Sequence, residues 1–236
     1  MKKPRIMFCP ADASPAHLEQ FATLEKSLRK FHSEEELPLI RVDNDKKDSI
    51  FWHRKTPVTA YELTKEYEVV IGIDCDEIIT GSLEKLWEPG DWDVKVVLND
   101  PTYPIAVWDI GSSTGTPYFN GGLIVMKEGK FLDHFYRLSQ TEHIARYQFQ
   151  EQDILNLLCS DYFDYTVDCL DYSDSIYGEF AKPVWAHATL EDDKIMISGK
   201  QLRVIHFGSG FNAPDKGNFR IKFSDEVSNH IAKLVK

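Results

Sequence analysis

A run of apolar residues that ends in two acids constrains this 236-residue chain more than any other feature. Val69-Val70-Ile71-Gly72-Ile73 is apolar over the length of one strand, and Asp74-Cys75-Asp76 follows directly. A strand apolar on both faces must be covered on both, which is the condition of a central strand in an α/β sheet. In open sheets of that kind ligands bind outside the carboxyl ends of the strands, where Asp74 and Asp76 fall. If the chain stays extended across them, the two carboxylates point to one side and reach one ion. Their oxygens suit Mg²⁺ or Mn²⁺, ions that bridge nucleotide phosphates. Two acids at a strand end are equally the mark of a solvated terminus, so the pair is read with its surroundings.

Those surroundings alternate. Arg5 to Cys9 reads as a buried strand, and Ser14-Pro15 gives an N-cap with proline at the first helical position. Leu18, Phe21, Ala22, Leu28 and Phe31 then recur at helical spacing. Pro38 to Val42 is a second strand, and Thr56-Pro57 repeats the cap signal before a helix expected to end near Tyr67. Glu68 to Ile73 completes a strand-helix-strand-helix-strand order, the pattern of a mostly parallel sheet covered by helices. Further strands are expected at Val94–Leu98, Leu123–Met126 and Val204–Phe207, and helices at Lys130–Leu138, Gln150–Ser160 and Asp225–Val235. Asn99–Thr116 and Asp171–Lys200, rich in Asp, Ser, Gly and Pro, read as substrate-facing loops. With no repeat and no linker, one domain over residues 1–236 is expected.

Composition narrows the partners. A formal net charge of -11 opposes non-specific nucleic-acid binding, which draws its affinity from clustered Lys and Arg. No transmembrane segment is visible, and the apolar residues after Lys3 are cut short at Pro10 before a signal peptide could form. Cys9, Cys75, Cys159 and Cys169 show no paired spacing, as expected of reduced thiols in a cytoplasmic protein.

Four stretches, in order, decide the functional expectation. The acidic strand runs into Ile78-Ile79-Thr80-Gly81-Ser82-Leu83-Glu84-Lys85-Leu86-Trp87. Tyr118-Phe119-Asn120-Gly121-Gly122-Leu123, Glu151-Gln152-Asp153-Ile154-Leu155-Asn156 and Val204-Ile205-His206-Phe207-Gly208 follow. Together they resemble the glycogenin-like family of glycosyltransferases, family 8, over roughly residues 5 to 220. The resemblance implies a GT-A (nucleotide-diphospho-sugar transferase) fold, a Rossmann-like mixed sheet flanked by helices. It also implies a nucleotide-diphosphate sugar donor, a glycan or other hydroxyl acceptor, and transfer with retention of anomeric configuration. Asp74, Asp76 and His206 would then hold Mn²⁺ or Mg²⁺, with Gln152, Glu151 and Asp153 near the reacting carbon. Asp12, Lys55, Asn120, Gly121, Gly208 and Lys216 would join Asp74 and Asp76 in binding the donor. The late loop departs from the family, reading Asn212-Ala213-Pro214-Asp215-Lys216 where Lys-Pro-Trp is usual, and Pro10-Ala11-Asp12-Ala13-Ser14 carries no base-stacking Tyr.

Several of these residues admit plainer readings. Asn120-Gly121 is a common turn, a histidine within an apolar strand is often a packed one, and acids at a helix start favour the dipole. Capping explains Asp153 and Glu151; it does not explain Gln152. Two other functions use the same acids. A haloacid-dehalogenase-like phosphatase would take Asp74 and Asp76 as nucleophile and general acid, with Asp192-Asp193 as its later acidic pair. A non-catalytic nucleotide-sugar or glycan-binding module would use the same fold without turnover. A nucleotidyltransferase needs a glycine-rich arm after the first strand, and Cys9 to Ser14 contains no glycine.

Overall fold

The computed structural model describes residues 2–43, 54–98, 118–141, 150–171, 176–177, 187–207 and 223–236. Six strands form the main sheet: β1 (Lys3–Ala11), β2 (Leu39–Asp43), β3 (Tyr67–Ile73), β5 (Val94–Leu98), β6 (Phe119–Lys127) and β7 (Val167–Leu170), in the order β2-β1-β3-β6-β5-β7. β1 is parallel to β2 and β3, whereas β6 is antiparallel to both β3 and β5, and β7 is parallel to β5. The first three strands thus have the parallel order expected, and the reversal at β6 makes the sheet mixed.

Alternation along the strands builds two cores. Met7, Cys9, Ile71, Ile73, Leu123 and Val125 face one side, beneath Leu24 and Leu28 of α1 (Pro15–Leu28). Ile6, Phe8, Val70, Ile124 and Met126 face the other, against α2 (Lys55–Leu63), α3 (Lys130–Ser139) and α4 (Glu151–Leu158). Full burial of a side chain the size of Phe8 or Ile71 contributes about 1.5–3 kcal/mol, so these two layers dominate the fold.

The helix starts differ from expectation in one place. Ser14 caps α1 by accepting from His17 N, with Pro15 following as read. α2 instead begins at Lys55 after Arg54, which makes no side-chain cap, and it ends at Leu63. Lys65 and Glu66 turn the chain with 3₁₀-type bonds to Glu62 and Leu63, so that Tyr67 opens β3 and does not close the helix.

Beyond β3 the chain leaves the main sheet. β4 (Glu77–Ile79) pairs antiparallel with β12 (Val204–His206), which pairs in parallel with β8 (Ile176–Tyr177). A third core lies beneath this small sheet, where Ile78 and Ile205 meet Val227 and Ile231 of α5 (Asp225–Leu234). The loop expected over Asp171–Lys200 contains a hairpin, β9 (Thr189–Glu191) and β10 (Lys194–Ile197), which continues to β11 (Lys200–Gln201). Asp192 and Asp193 form its turn with φ of 48° and 60°, the left-handed pair of a two-residue hairpin that short acidic side chains tolerate. Asn99–Thr116 lies outside the described residues.

Candidate active site

Asp74, Cys75 and Asp76 carry the chain from the main sheet to the small one, and each acid is fixed by a different sheet. Asp74 N donates to Gly122 O at 2.8 Å, extending the β3–β6 pairing one step beyond Ile73. Asp76 O accepts from Phe207 N at 3.1 Å, extending the β4–β12 pairing. His206 therefore arrives beside the acids from the small sheet: its Nε2 is 3.3 Å from Asp76 Oδ1 and 3.7 Å from Asp74 Oδ2. One ligand atom from each of the three residues falls within 4.8 Å of the others, a spacing that could hold a divalent ion. His206 is buried, whereas the Asp74 side chain is 50% exposed, so the cluster opens on the Asp74 side.

Two glycines make room for this. β6 bulges between Asn120 and Ile124, where Gly121, Gly122 and Leu123 have no partner on β5. A Cβ on Gly122 would stand 2.3 Å from His206 Cε1 and 2.5 Å from Nδ1, so the imidazole fits only against a residue without a side chain. Asn120 Oδ1 accepts from Gly122 N at 2.7 Å and holds the bulge. Gly121 N, turned away from the ladder, donates to Gln152 Oε1 at 2.7 Å.

Gln152 is held at both ends of its amide, for Nε2 donates to the Tyr118 hydroxyl at 3.1 Å. That hydroxyl donates in turn to the buried Asp153 carboxylate at 2.7 Å. Asn156 completes the clamp between β6 and α4: Oδ1 accepts from Phe119 N, while Nδ2 donates to Phe119 O and Gln152 O. Gln150 enters α4 at φ 51°, an uncommon conformation for glutamine that sets the direction of the first turn.

Charge is concentrated here. For His206 burial acts downward, but Asp76, Glu77 and Asp74 outweigh it and push the imidazole up to about 10. Asp74, although half-exposed, is raised above the usual carboxylate range by the water it loses beside the cluster, with His206 opposing and Asp76 adding. Asp76 is drawn below the usual carboxylate range because His206 overcomes its burial. Glu77, wholly buried behind the imidazole, is raised well above its ordinary value by burial, with Asp74 and Asp76 adding and His206 opposing. In the first turn of α4, burial raises Glu151 to about 8, and Asp74 and Asp153 press the same way.

The remaining expected residues divide. Asp12 is buried at the end of the β1 region, where it accepts from Ser14 N at 2.8 Å and meets His17 Nδ1 at 2.7 Å. Lys55 is the first residue of α2 and half-buried. Gly208 and Lys216 lie outside the described residues. Sequence reading missed Glu77 and His17. His17, on α1, acts electrostatically on both Asp74 and Asp76. A His three residues past a Ser-Pro cap was its only signal.

No family profile and no curated protein matches the chain in sequence. Solved structures do match. The galactosyltransferase LgtC in complex with donor and acceptor sugar analogues is 17% identical, with 98% of this chain and 95% of that chain covered at a TM-score of 0.60. A glycosyltransferase involved in glycosylation of the major capsid of PBCV-1 is 10% identical, with 98% and 100% covered at a TM-score of 0.57. Mouse xyloside xylosyltransferase 1 is 12% identical, with 89% and 98% covered at a TM-score of 0.55. The chain has a GT-A fold. Within it, the acids at the end of β3 and the clamp between β6 and α4 lie at the carboxyl edge of β1 and β3, where open α/β sheets bind ligands. No helix among the described residues is long and apolar enough to cross a membrane.

Proposed function

We propose that residues 1–236 form one metal-dependent glycosyltransferase domain, which moves a sugar from a nucleotide-diphosphate donor to a hydroxyl of its acceptor with retention of configuration. The observation that carries this reading is the convergence of Asp74, Asp76 and His206 at the end of β3 in a GT-A fold. Two oxygens and one imidazole nitrogen fit Mn²⁺, with Mg²⁺ as the harder alternative. The ion, when bound, supplies Lewis-acid stabilisation of the departing diphosphate.

The chain's own residues supply position. Asp12 and Lys55 are assigned to the donor on the β1 and α2 side, and Gly208 and Lys216 are assigned to it as well. Asn120 and Gly121 offer an approach with no side chain at Gly121 to block it. Gln152 presents a carboxamide locked by Gly121 and Tyr118, suited to meet the charge that develops at the sugar without reorganising. An active-site glutamine-to-glutamate variant of LgtC, 16% identical over 97% of this chain at a TM-score of 0.61, is consistent with a role for such an amide. Glu151, raised to about 8, keeps its proton at neutral pH and adds no negative charge beside Asp74.

The phosphatase reading loses its second acidic pair, because Asp192 and Asp193 are the exposed turn of a hairpin. A panel of nucleotide sugars assayed with Mn²⁺, with chelator and with Asp76→Asn is the test. Turnover is expected only for the wild type with metal. Phosphate release from simple esters, or full activity in excess chelator, would sink the proposal.

A further inference from the structure

Glu77 has no role in the site as described so far, yet it is the most deeply buried carboxylate beside it. Its side chain is wholly removed from solvent, and among the described residues neither of its oxygens makes a hydrogen bond of ordinary geometry. A buried carboxylate left in that state costs several kcal/mol unless a counter-charge compensates it. The group that faces it is His206, whose Nδ1 lies 3.5 Å from Oε1.

This pairing is set by the backbone. β4 and β12 are antiparallel, and their register places Glu77 directly opposite His206. Side chains directly opposite in an antiparallel pair leave the sheet on the same face, with Cβ atoms about 4.5–5.5 Å apart. Gly122 packs against the Cε1–Nδ1 edge of the ring, whose Nδ1 faces Glu77 and whose Nε2 faces Asp74 and Asp76.

We propose that Glu77 is a positioning residue: it accepts the Nδ1–H of His206, fixes that tautomer, and turns the Nε2 lone pair toward the ion held with Asp74 and Asp76. This rests on the metal-dependent reading above. It also gives the site a third carboxyl group that touches no ion and holds His206 in its place as a ligand. Partners of this kind, standing behind a ligating histidine, are commonly worth about 10–100-fold in metal affinity.

The test is Mn²⁺ binding without donor or acceptor, followed by electron paramagnetic resonance, for wild type, Glu77→Gln and Glu77→Leu. Glu77→Leu should bind about 10–100-fold more weakly. Glu77→Gln, which keeps an acceptor oxygen opposite Nδ1, should recover much of the loss. Nitrogen NMR of the wild type and Glu77→Gln loaded with Zn²⁺ gives a second readout, in which His206 should coordinate through Nε2 and carry its proton on Nδ1. Equal Mn²⁺ affinity in all three proteins, or coordination through Nδ1, overturns the proposal while leaving the metal site intact. A wild type that binds neither ion overturns the metal reading and this inference with it. Lowered melting temperature with unchanged Mn²⁺ affinity would make Glu77 a packing residue only, and should Glu77→Leu fail to fold, the NMR comparison still decides.

Discussion

At the residue scale the site is a crowd of carboxyl groups around one imidazole. Asp74, Asp76 and Glu77 surround a single imidazole, and Glu151 approaches from α4. Glu151 gives the cleanest consequence. Its folded value of about 8 lies above the ordinary 4.5, so the native state holds this proton more tightly than the unfolded chain does. Stability from this group is therefore present in full below pH 4.5, falls as pH rises toward 8, and stays low beyond. Glu151→Gln should remove that decline: melting temperatures measured from pH 4 to 9, about the span in which the two states differ in protons, should separate in favour of the variant as pH rises. Parallel curves would show that Glu151 ionises normally. Asp74, Asp76 and His206 were legible in the sequence because an apolar strand ending in acids and a late apolar strand with histidine are local patterns. Glu77 was not, because its meaning lies in a cross-strand partner 129 positions away.

At the element scale the clamp between β6 and α4 fixes the carboxamide of Gln152. Asn156 satisfies both backbone groups of Phe119 and the carbonyl of Gln152, all buried or nearly so. Asn156→Ala should cost about 1–3 kcal/mol for each buried group left unpaired, read from urea denaturation. Asn156→Asp should be worse at neutral pH, because a carboxylate oxygen would then face two carbonyls. If Asn156→Ala matches wild type within error, water replaces the amide and the clamp is not what orders α4. Strands of five residues or more that are mostly apolar, such as β3 and β5, could be read directly. β4 and β8–β11 could not, being two to four residues long and marked by pairing more than by composition. The cap at Thr56 failed for a related reason: Arg54 offers no side-chain acceptor, and the carbonyl that takes Val58 N belongs to the residue before Lys55.

On the scale of the whole molecule, two sheets are joined at Asp74–Asp76 and share one core, where Ile79 and Val204 of the small sheet pack with Met7 and Ile71 of the main one. The small sheet depends on α5, through Val227 and Ile231, for a core that the main sheet does not share. Ile231→Val should therefore cost about 0.5–1.5 kcal/mol, and the larger Ile231→Ala about 2–5 kcal/mol. Both changes should weaken Mn²⁺ binding in proportion, although Ile231 belongs to a different core from the β3–β6 face that holds Asp74. Calorimetry of the ion against each variant checks this, and full affinity in the destabilised protein would mean that β12 keeps its place without α5. The covered sheet was legible because β3 is apolar on both faces and strands alternate with helices; the division into two sheets was not, because nothing in residues 74 to 76 announces a change of direction.

That junction bears on how the chain acquires its form. Asp76 and His206, which meet there, are separated by about 130 positions, a span whose ends meet only at a substantial loop entropy. Contacts so distant in sequence form late, after the helices and nearest strands have condensed. An ion seated between them would then act on contacts completed after the rate-limiting step of folding. Its presence would slow the opening of the native protein and leave the rate of its formation almost untouched, so that the cation serves as a latch on a door that has already closed.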